Sequence, residues 1–283
     1  MPDPTPPVRP VRRPLPVRVV STERLTPRML RLVVEGESLD GFPVGEHTDH
    51  YVKFLLPAPG AGYGPIFDPE EIRAAHPREQ WPRTRSYTVR AFDPEARRLT
   101  FDVVVHGDRG VAGPWAQAAR PGDELQILGP GGGYAPDPAA DWHLLVGDPC
   151  VVPAIAASLE RLPAGAVAHV FVEVEDADDE VPLPSAADVH VSWLHRGERP
   201  VDDLLVDAVR ALEFPAGPVH AFVHGEASSV RAVRRHLIVE RGVPKDPLSA
   251  SGYWKWTRTD EDWRAEKAEW NRLAEQDVAE VGA

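Results

Sequence analysis

Around Gly131-Gly132-Gly133 the hydrophobic pattern changes its period, and that change limits what the chain can fold into. Before it, β-branched and apolar runs at 17–21, 29–34 and 51–56 are divided by Pro, Gly and Asp clusters. That is the spacing of an antiparallel barrel or sandwich. After it, strand-like runs at 142–146, 167–174, 189–194 and 219–224 alternate with helical stretches at 151–162, 201–212 and 227–241. Strand alternating with helix implies a parallel, doubly wound sheet covered on both faces. The expected organisation is a Pro- and Arg-rich extended arm over 1–16, a β domain over 17–133 and an α/β domain over 134–283.

In the β half, a polar stretch at 57–82 reads as a long loop carrying a helical turn at 70–75. Residues 85–92 and 99–106 read as two strands joined by the turn Asp93-Pro94-Glu95-Ala96, a hairpin that brings His106 and Gly107 close to Arg85. Alternation puts Arg85 and Tyr87 on one face of their strand and Ser86 and Thr88 on the other. A fixed cation and a flat ring on one side suit a phosphate and a planar ring system, and a neighbouring hydroxyl can donate to a ring nitrogen. Glycines 107, 110 and 113, ahead of a helix expected near Pro114, allow close backbone approach to an anion at a helix N-terminus. By itself, that run reads as readily as the glycine-rich exit of a hairpin.

In the α/β half, ligands are expected beyond the carboxyl ends of the strands. Three segments fall there: Gly147-Asp148-Pro149-Cys150, His195-Arg196-Gly197 and His224-Gly225-Glu226-Ala227-Ser228. The first and third suit the phosphates or ribose of a nucleotide. Arg196 reads either as the partner of a 2′-phosphate or as an exposed loop charge. The tail reads as a strand at 248–251, then Gly252-Tyr253-Trp254-Lys255-Trp256, then a helix over 260–278. Trp256, Trp263 and Trp270 are spaced by seven, one face of a packed helix. Lys255 reads as a cationic lip to a pocket or as part of a packed hinge.

A formal charge of −13 argues against nucleic acid or an anionic membrane as partner, so an anionic ligand must meet a local basic pocket. The single cysteine, Cys150, excludes a disulfide framework and any metal site built on several thiolates, and no resident metal is expected. No apolar run reaches membrane-spanning length, and no apolar region follows Arg12-Arg13, so neither membrane insertion nor twin-arginine export is expected. The cytoplasm is the expected location and a monomer the expected state.

Several local sequences combine into a resemblance: Arg85-Ser86-Tyr87-Thr88; His106-Gly107 with Gly113-Pro114-Trp115-Ala116 and Pro121-Gly122-Asp123; Gly147-Asp148 with Pro153-Ala154-Ile155; and Gly252-Tyr253-Trp254. From about residue 17 to 263 the chain resembles the siderophore-interacting protein family of flavin reductases, within the ferredoxin-NADP reductase superfamily. The resemblance implies a six-stranded antiparallel Greek-key FAD barrel followed by a doubly wound nicotinamide-nucleotide domain with a C-terminal helix. It implies that Arg85 holds an FAD phosphate, Tyr87 stacks on the isoalloxazine and Thr88 lies near its N5, with Ser86 beside them. His106 and Gly107 would flank the FAD, and Gly110, Val111, Ala112 and Gly113 would cradle its diphosphate. Asp148 and Cys150 would border the nicotinamide of NADPH or NADH, while Gly225, Glu226, Ala227 and Ser228 would contact the rest of that dinucleotide. Lys53 and Lys255 match basic positions of a siderophore pocket.

Three departures from the family pattern stand out. Pro149-Cys150 replaces a common Glu-Thr, turning a hydroxyl near the nicotinamide into a thiol. Gly113 stands where relatives often have serine, and Gly131 where a basic residue is common. The activity implied is a cytoplasmic FAD-dependent reduction of ferric siderophore by NAD(P)H, in which the cofactor carries the chemistry. Iron is released because hard oxygen ligands hold iron(III) more tightly than iron(II). The missing cation at Gly131 favours a less charged, hydroxamate or mixed-ligand siderophore. The rival readings are a flavin oxidoreductase feeding a partner protein and a siderophore- or nucleotide-binding module without turnover.

Overall fold

The computed structural model describes residues 13–107, 110–197 and 204–279. The β half contains strands β1 (Leu15–Thr26), β2 (Met29–Glu35), β3 (Tyr51–Leu56), β4 (Arg83–Thr88), β5 (Ala91–Asp93), β6 (Arg98–Val104) and β7 (Glu124–Gly131). All pair antiparallel, in the order β4-β3-β7-β1-β2-β6-β5. The two outer strands are consecutive in sequence. Val89 N donates to His50 O at 2.6 Å and Arg90 N to Thr100 O at 2.8 Å. The ribbon β4–β5 therefore leaves β3 at one end and joins β6 at the other, which closes the sheet into a six-stranded Greek-key barrel and removes its open edges. Period-two alternation fills the interior: Leu99, Phe101 and Val103 of β6 are wholly buried, as are Val52 and Phe54 of β3.

The expected hairpin is present only in its distal part. Ala91, Phe92 and Asp93 pair with Thr100, Leu99 and Arg98, around a turn in which Asp93 Oδ1 accepts from Glu95 N and Ala96 N. The Arg85 stretch pairs instead with β3. The 57–82 insertion carries helix α1 (Pro69–Ala75), started by the Asp68 side chain accepting from Glu70 N and Glu71 N. Leu15 and Pro16, at the end of the expected arm, already pair with β7; the rest of that arm up to residue 12 lies outside the described residues. Helix α2 (Ala112–Ala118) packs Trp115 against Phe54 at the barrel, ring centroids 6.0 Å apart.

The α/β half runs β8 (Trp142–Gly147), α3 (Val152–Arg161), β9 (Val167–Val174), β10 (Asp188–His195), α4 (Leu204–Ala211), β11 (Val219–Glu226), α5 (Ala227–Arg235), β12 (Leu248–Trp254) and α6 (Asp260–Ala279). Its sheet is parallel, in the order β10-β9-β8-β11-β12, so the chain moves one way from β8 and then reverses. With right-handed crossovers this reversal puts α3 on one face and α4 and α5 on the other. Buried residues of α4 and α5 accordingly share one core with Trp263 and Trp270 of α6, while those of α3 lie in another.

The β9–β10 crossover, where the sequence reading places no helix, holds a 3-10 turn (Ala177–Asp179), and barrel residues Met29, Leu25 and Val104 pack into the α3 core. Two details differ from expectation. The stretch after α5 is π-helical over His236–Glu240. Trp256 stands outside α6 and is 52 % exposed, so of the three tryptophans Trp263 and Trp270 join the buried face, with Ala274 and Val278. The first three residues of the helix expected at 201–212 lie outside the described residues.

Polar ties lock the halves together. Asp179, buried, accepts from Arg28 Nη1 at 2.5 Å and Thr26 Oγ1 at 3.2 Å. Arg90 forks onto Glu160 of α3, and Thr48 Oγ1 lies 2.8 Å from Ser158 Oγ. The barrel is thus held against the α3 face of the parallel sheet.

In the core of that sheet, His143 on β8 is 1 % exposed and its Nδ1 has no hydrogen-bond partner. Burial, then the neighbouring His220, pushes its pKa down to about 4. The unfolded chain binds this proton near pH 6.5, so the stability contribution is complete above that pH and is lost as pH falls towards 4. Urea unfolding should show a His143-dependent loss on the order of 3 kcal/mol across that window, absent in His143→Leu. An identical pH profile in the variant would refute the assignment.

Candidate functional site

The barrel mouth is built by β3 and β4. Register sets Arg85 opposite Phe54 and Tyr87 opposite Val52, so cation and phenol share the inward face. The Tyr87 ring lies 4.5 Å from Phe54, and burial pushes its phenol pKa up, which keeps it protonated. Ser86 is exposed opposite Lys53, and Thr88, opposite Tyr51, is buried. Arg85 reaches the first turn of α6: its Nη1 donates to Glu261 Oε1 at 3.0 Å, Asp260 Oδ2 at 3.2 Å and Thr84 O at 2.9 Å. Arg264 of the same helix pairs with Asp260 at 2.8 Å and donates to Thr84 O at 2.9 Å. The start of the C-terminal helix is thereby fastened across β4.

Opposite lies the carboxyl edge of the parallel sheet, organised by Asp148. This residue, 5 % exposed, accepts from Cys150 N (2.9 Å), Glu226 N (2.7 Å) and the Trp254 indole N–H (2.8 Å). One carboxyl group therefore ties the β8–α3 turn, the β11–α5 turn and β12. Gly225, with φ of +124°, permits this because a Cβ there would lie 2.4 Å from Asp148 Oδ2. Burial pushes the Cys150 thiol up, and the adjacent Asp148 adds to the shift, so Cys150 remains a neutral thiol. Both residues, expected at the nicotinamide, serve first to brace this edge.

Glu226 also has a structural task. Its Oε2 accepts from Ser228 N (2.6 Å) and Ser229 N (3.0 Å), and its Oε1 from Trp256 N (3.1 Å). The amides of Ser228 and Ser229 at the start of α5 are thus engaged by the chain's own carboxylate, and Gly225 and Ala227 beside them are buried.

Arg196, just past β10, is held at Nη2 by Glu175 (2.7 Å) and at Nη1 by Glu173 (3.4 Å), with its guanidinium 5.7 Å from the Trp256 ring centroid. Burial raises the Glu173 carboxyl to about 7, with Arg196 opposing the rise and Asp148 and Glu226 adding to it. His106, at the exit of β6, sits within electrostatic range of Asp148, Arg196 and Arg28. That places the start of the glycine loop against the α/β half.

In that loop Gly107 and Gly110 have φ of +60° and +81°, with open space where a Cβ would stand. Helix α2 starts at Ala112, earlier than the expected Pro114, so Gly113 lies inside its first turn, where a Cβ would stand 3.6 Å from Val105 Cγ1. Val111 precedes the helix, and no side chain caps its first turn. Asp108 and Arg109 lie outside the described residues.

On the outer face, Lys53 is exposed and its charge acts on Asp260, while Lys255 follows β12 half-buried. Gly131 lies under the Tyr51 ring, whose atoms stand 2.5–2.7 Å from where a Cβ would be. The position lacking a cation is therefore covered by an aromatic ring that is 38 % exposed. Beside it, Pro43, His47, His50 and residues 129–132 line an open cavity of about 490 Å3. Sequence reasoning missed Tyr51, Glu173, Glu175, Asp260 and Glu261. Tyr51 was detectable, since alternation puts it beside Lys53; the acids that meet Arg85 and Arg196 come from remote strands and helices and left no local signal.

A closed antiparallel barrel braced against a doubly wound parallel sheet is the two-domain fold of the ferredoxin reductase type. The ferredoxin reductase of carbazole 1,9a-dioxygenase shares this fold, with a TM-score of 0.61 at 14 % identity over 86 % of this chain and 70 % of that one. The chain belongs to the siderophore-interacting protein family: residues 18–134 match the siderophore-interacting FAD-binding domain and 140–257 the siderophore-interacting protein model. It is 35 % identical over 253 residues to the ferric vibriobactin reductase of Vibrio cholerae, covering 88 % of this chain and 92 % of the relative. It is 32 % identical over 239 residues to an NADPH-dependent ferric-chelate reductase of Escherichia coli, covering 83 % and 91 %. The crystal structure of a siderophore utilization protein from T. fusca superposes with a TM-score of 0.77 at 36 % identity, covering 88 % and 95 %.

Asp148→Ala leaves three N–H donors without their acceptor. It should lower unfolding stability by about 3 kcal/mol or more, read by urea denaturation. A loss under 1 kcal/mol would show that these donors find other partners.

Proposed function

We propose that the chain is an FAD-dependent, NAD(P)H-oxidising reductase of ferric siderophores, working in the cytoplasm to free iron as iron(II). What carries the reading is the Arg85–Tyr87 seat at the mouth of a barrel whose neighbour is a parallel sheet with its switch point between β8 and β11. The residues suit FAD. Tyr87 offers a flat ring, Arg85 a cation, and the open glycines 107 and 110 with the uncapped first turn of α2 offer backbone to a diphosphate.

When bound, FAD supplies acceptance of a hydride from a nicotinamide and one-electron delivery to iron(III). The chain's own groups bind and orient. Arg85 would take a phosphate oxygen by exchanging its bonds to Asp260 and Glu261, Tyr87 would fix the ring plane, and the Thr88 hydroxyl sits three residues from Arg85 on the same strand. Asp148 ties the opposing edge together, so a nicotinamide lying there would be positioned by the scaffold. Gly131 and Tyr51 replace a cation by a ring beside Lys53, which suits a ferric siderophore of low negative charge, such as a hydroxamate or mixed-ligand type.

Anaerobic titration tests the function. FAD-loaded protein should bleach with NADH or NADPH and reoxidise on addition of a ferric siderophore with an iron(II) chelator present; protein that takes up no FAD would sink the proposal. Arg85→Ala should weaken FAD binding about tenfold or more, read by flavin fluorescence, because a charge-assisted contact is lost. Glu261→Gln should strengthen it, since the phosphate then competes with one fewer carboxylate. Unchanged affinity in both would remove Arg85 from the FAD site.

A further inference from the structure

The coenzyme that feeds this site, on the reading just proposed, is a nicotinamide dinucleotide with or without a 2′-phosphate, and the outer strands carry the groups that meet that difference. In an open parallel sheet the dinucleotide lies across the carboxyl edge. With its nicotinamide towards the barrel near the β8–β11 switch point, its adenosine extends over the ends of β9 and β10. An acid there accepts from the ribose 2′-hydroxyl, and an arginine there takes a 2′-phosphate. Both residue types are present here, so their geometry decides.

Arg196 is already committed. It bonds Glu175 at 2.7 Å and faces Glu173 at 3.4 Å, and only 19 % of its side chain is exposed. The backbone holds the arrangement in place: Arg196 N donates to Val174 O at 2.8 Å and Gly197 N to Glu175 O at 3.2 Å. Trp256 closes the remaining side of the guanidinium. A 2′-phosphate would have to draw Arg196 away from both acids, leaving the 6 %-exposed Glu173 without its cation and bringing two further negative charges beside Glu175. A ribose diol meets the opposite situation. Glu175, the more exposed acid at 36 %, can accept its hydroxyl hydrogens while Arg196 stays where it is.

We infer that the Glu173–Arg196–Glu175 triad selects NADH over NADPH, with Glu175 as the residue that reads the ribose. Arg196 acts here as a positioning residue for the two acids and not as a phosphate ligand.

The test separates binding from turnover. Calorimetry on the purified protein should show 5′-AMP binding more tightly than 2′,5′-ADP, and stopped-flow reduction of the FAD-loaded protein should give NADH a kcat/KM about tenfold or more above that of NADPH. Glu175→Gln keeps the side-chain shape and removes its charge. It should narrow both ratios by about tenfold, mostly by improved affinity for the phosphorylated ligand. Tighter binding of 2′,5′-ADP by the unaltered chain, or ratios unmoved by Glu175→Gln, would overturn the inference while leaving the reductase proposal intact. If neither NADH nor NADPH reduces the flavin, both the inference and the reductase proposal are overturned.

Discussion

Asp148 is the contact on which the site depends. A buried carboxyl group that accepts from two turns and a third strand of a doubly wound sheet does what no backbone ladder can do there, because strands at a switch point diverge and leave their terminal amides without neighbours. Removing it would free the first turn of α3, the first turn of α5 and the end of β12 together. The glycine at 225 exists for this contact, and the thiol at 150 and the indole at 254 lie where they do because of it. A side chain that looks like a ligand from its place after a strand thus holds the edge on which a ligand can lie.

The same logic governs charge. With a formal net charge of −13, the chain can attract an anion only through local donors, yet the arginines at the site are paired: Arg85 with Asp260 and Glu261, Arg196 with Glu173 and Glu175, Arg28 with Asp176 and Asp179. Binding a phosphate at such a position exchanges one anion for another, so the affinity is a difference between two similar interactions rather than the full strength of either. Selectivity follows from which carboxylates can yield. Asp260 and Glu261, 26 % and 45 % exposed, can be taken up by water when Arg85 turns to a phosphate. Glu173 is inside a strand of the sheet and cannot.

The architecture was legible because period is a backbone property. Alternation in 99–105 and the strand–helix repeat after residue 141 appear in the composition of each short segment, and the observed elements begin and end within a few residues of those readings. The hairpin at Arg85 was legible only in part. The turn at Asp93 is local, but the preference of β4 for β3 is a closure of the whole barrel, which no segment records. Arg85 and Tyr87 were found because two residues on one strand share a face. Asp260 and Glu261, about 175 residues away in sequence, were not, because nothing in an acidic helical turn says which cation it meets.

Gly131 shows how a departure in sequence acquires meaning from packing. Read alone, it is a lost cation. In the structure the Tyr51 ring occupies the space that any side chain at 131 would need, so glycine and tyrosine form one feature, and the loss of charge is also the gain of an exposed aromatic surface beside Lys53. A larger residue at 131 would have to turn that ring aside. The lack of charge at this position is therefore enforced from two strands, β3 and β7, and placing a charged side chain there requires both to change together.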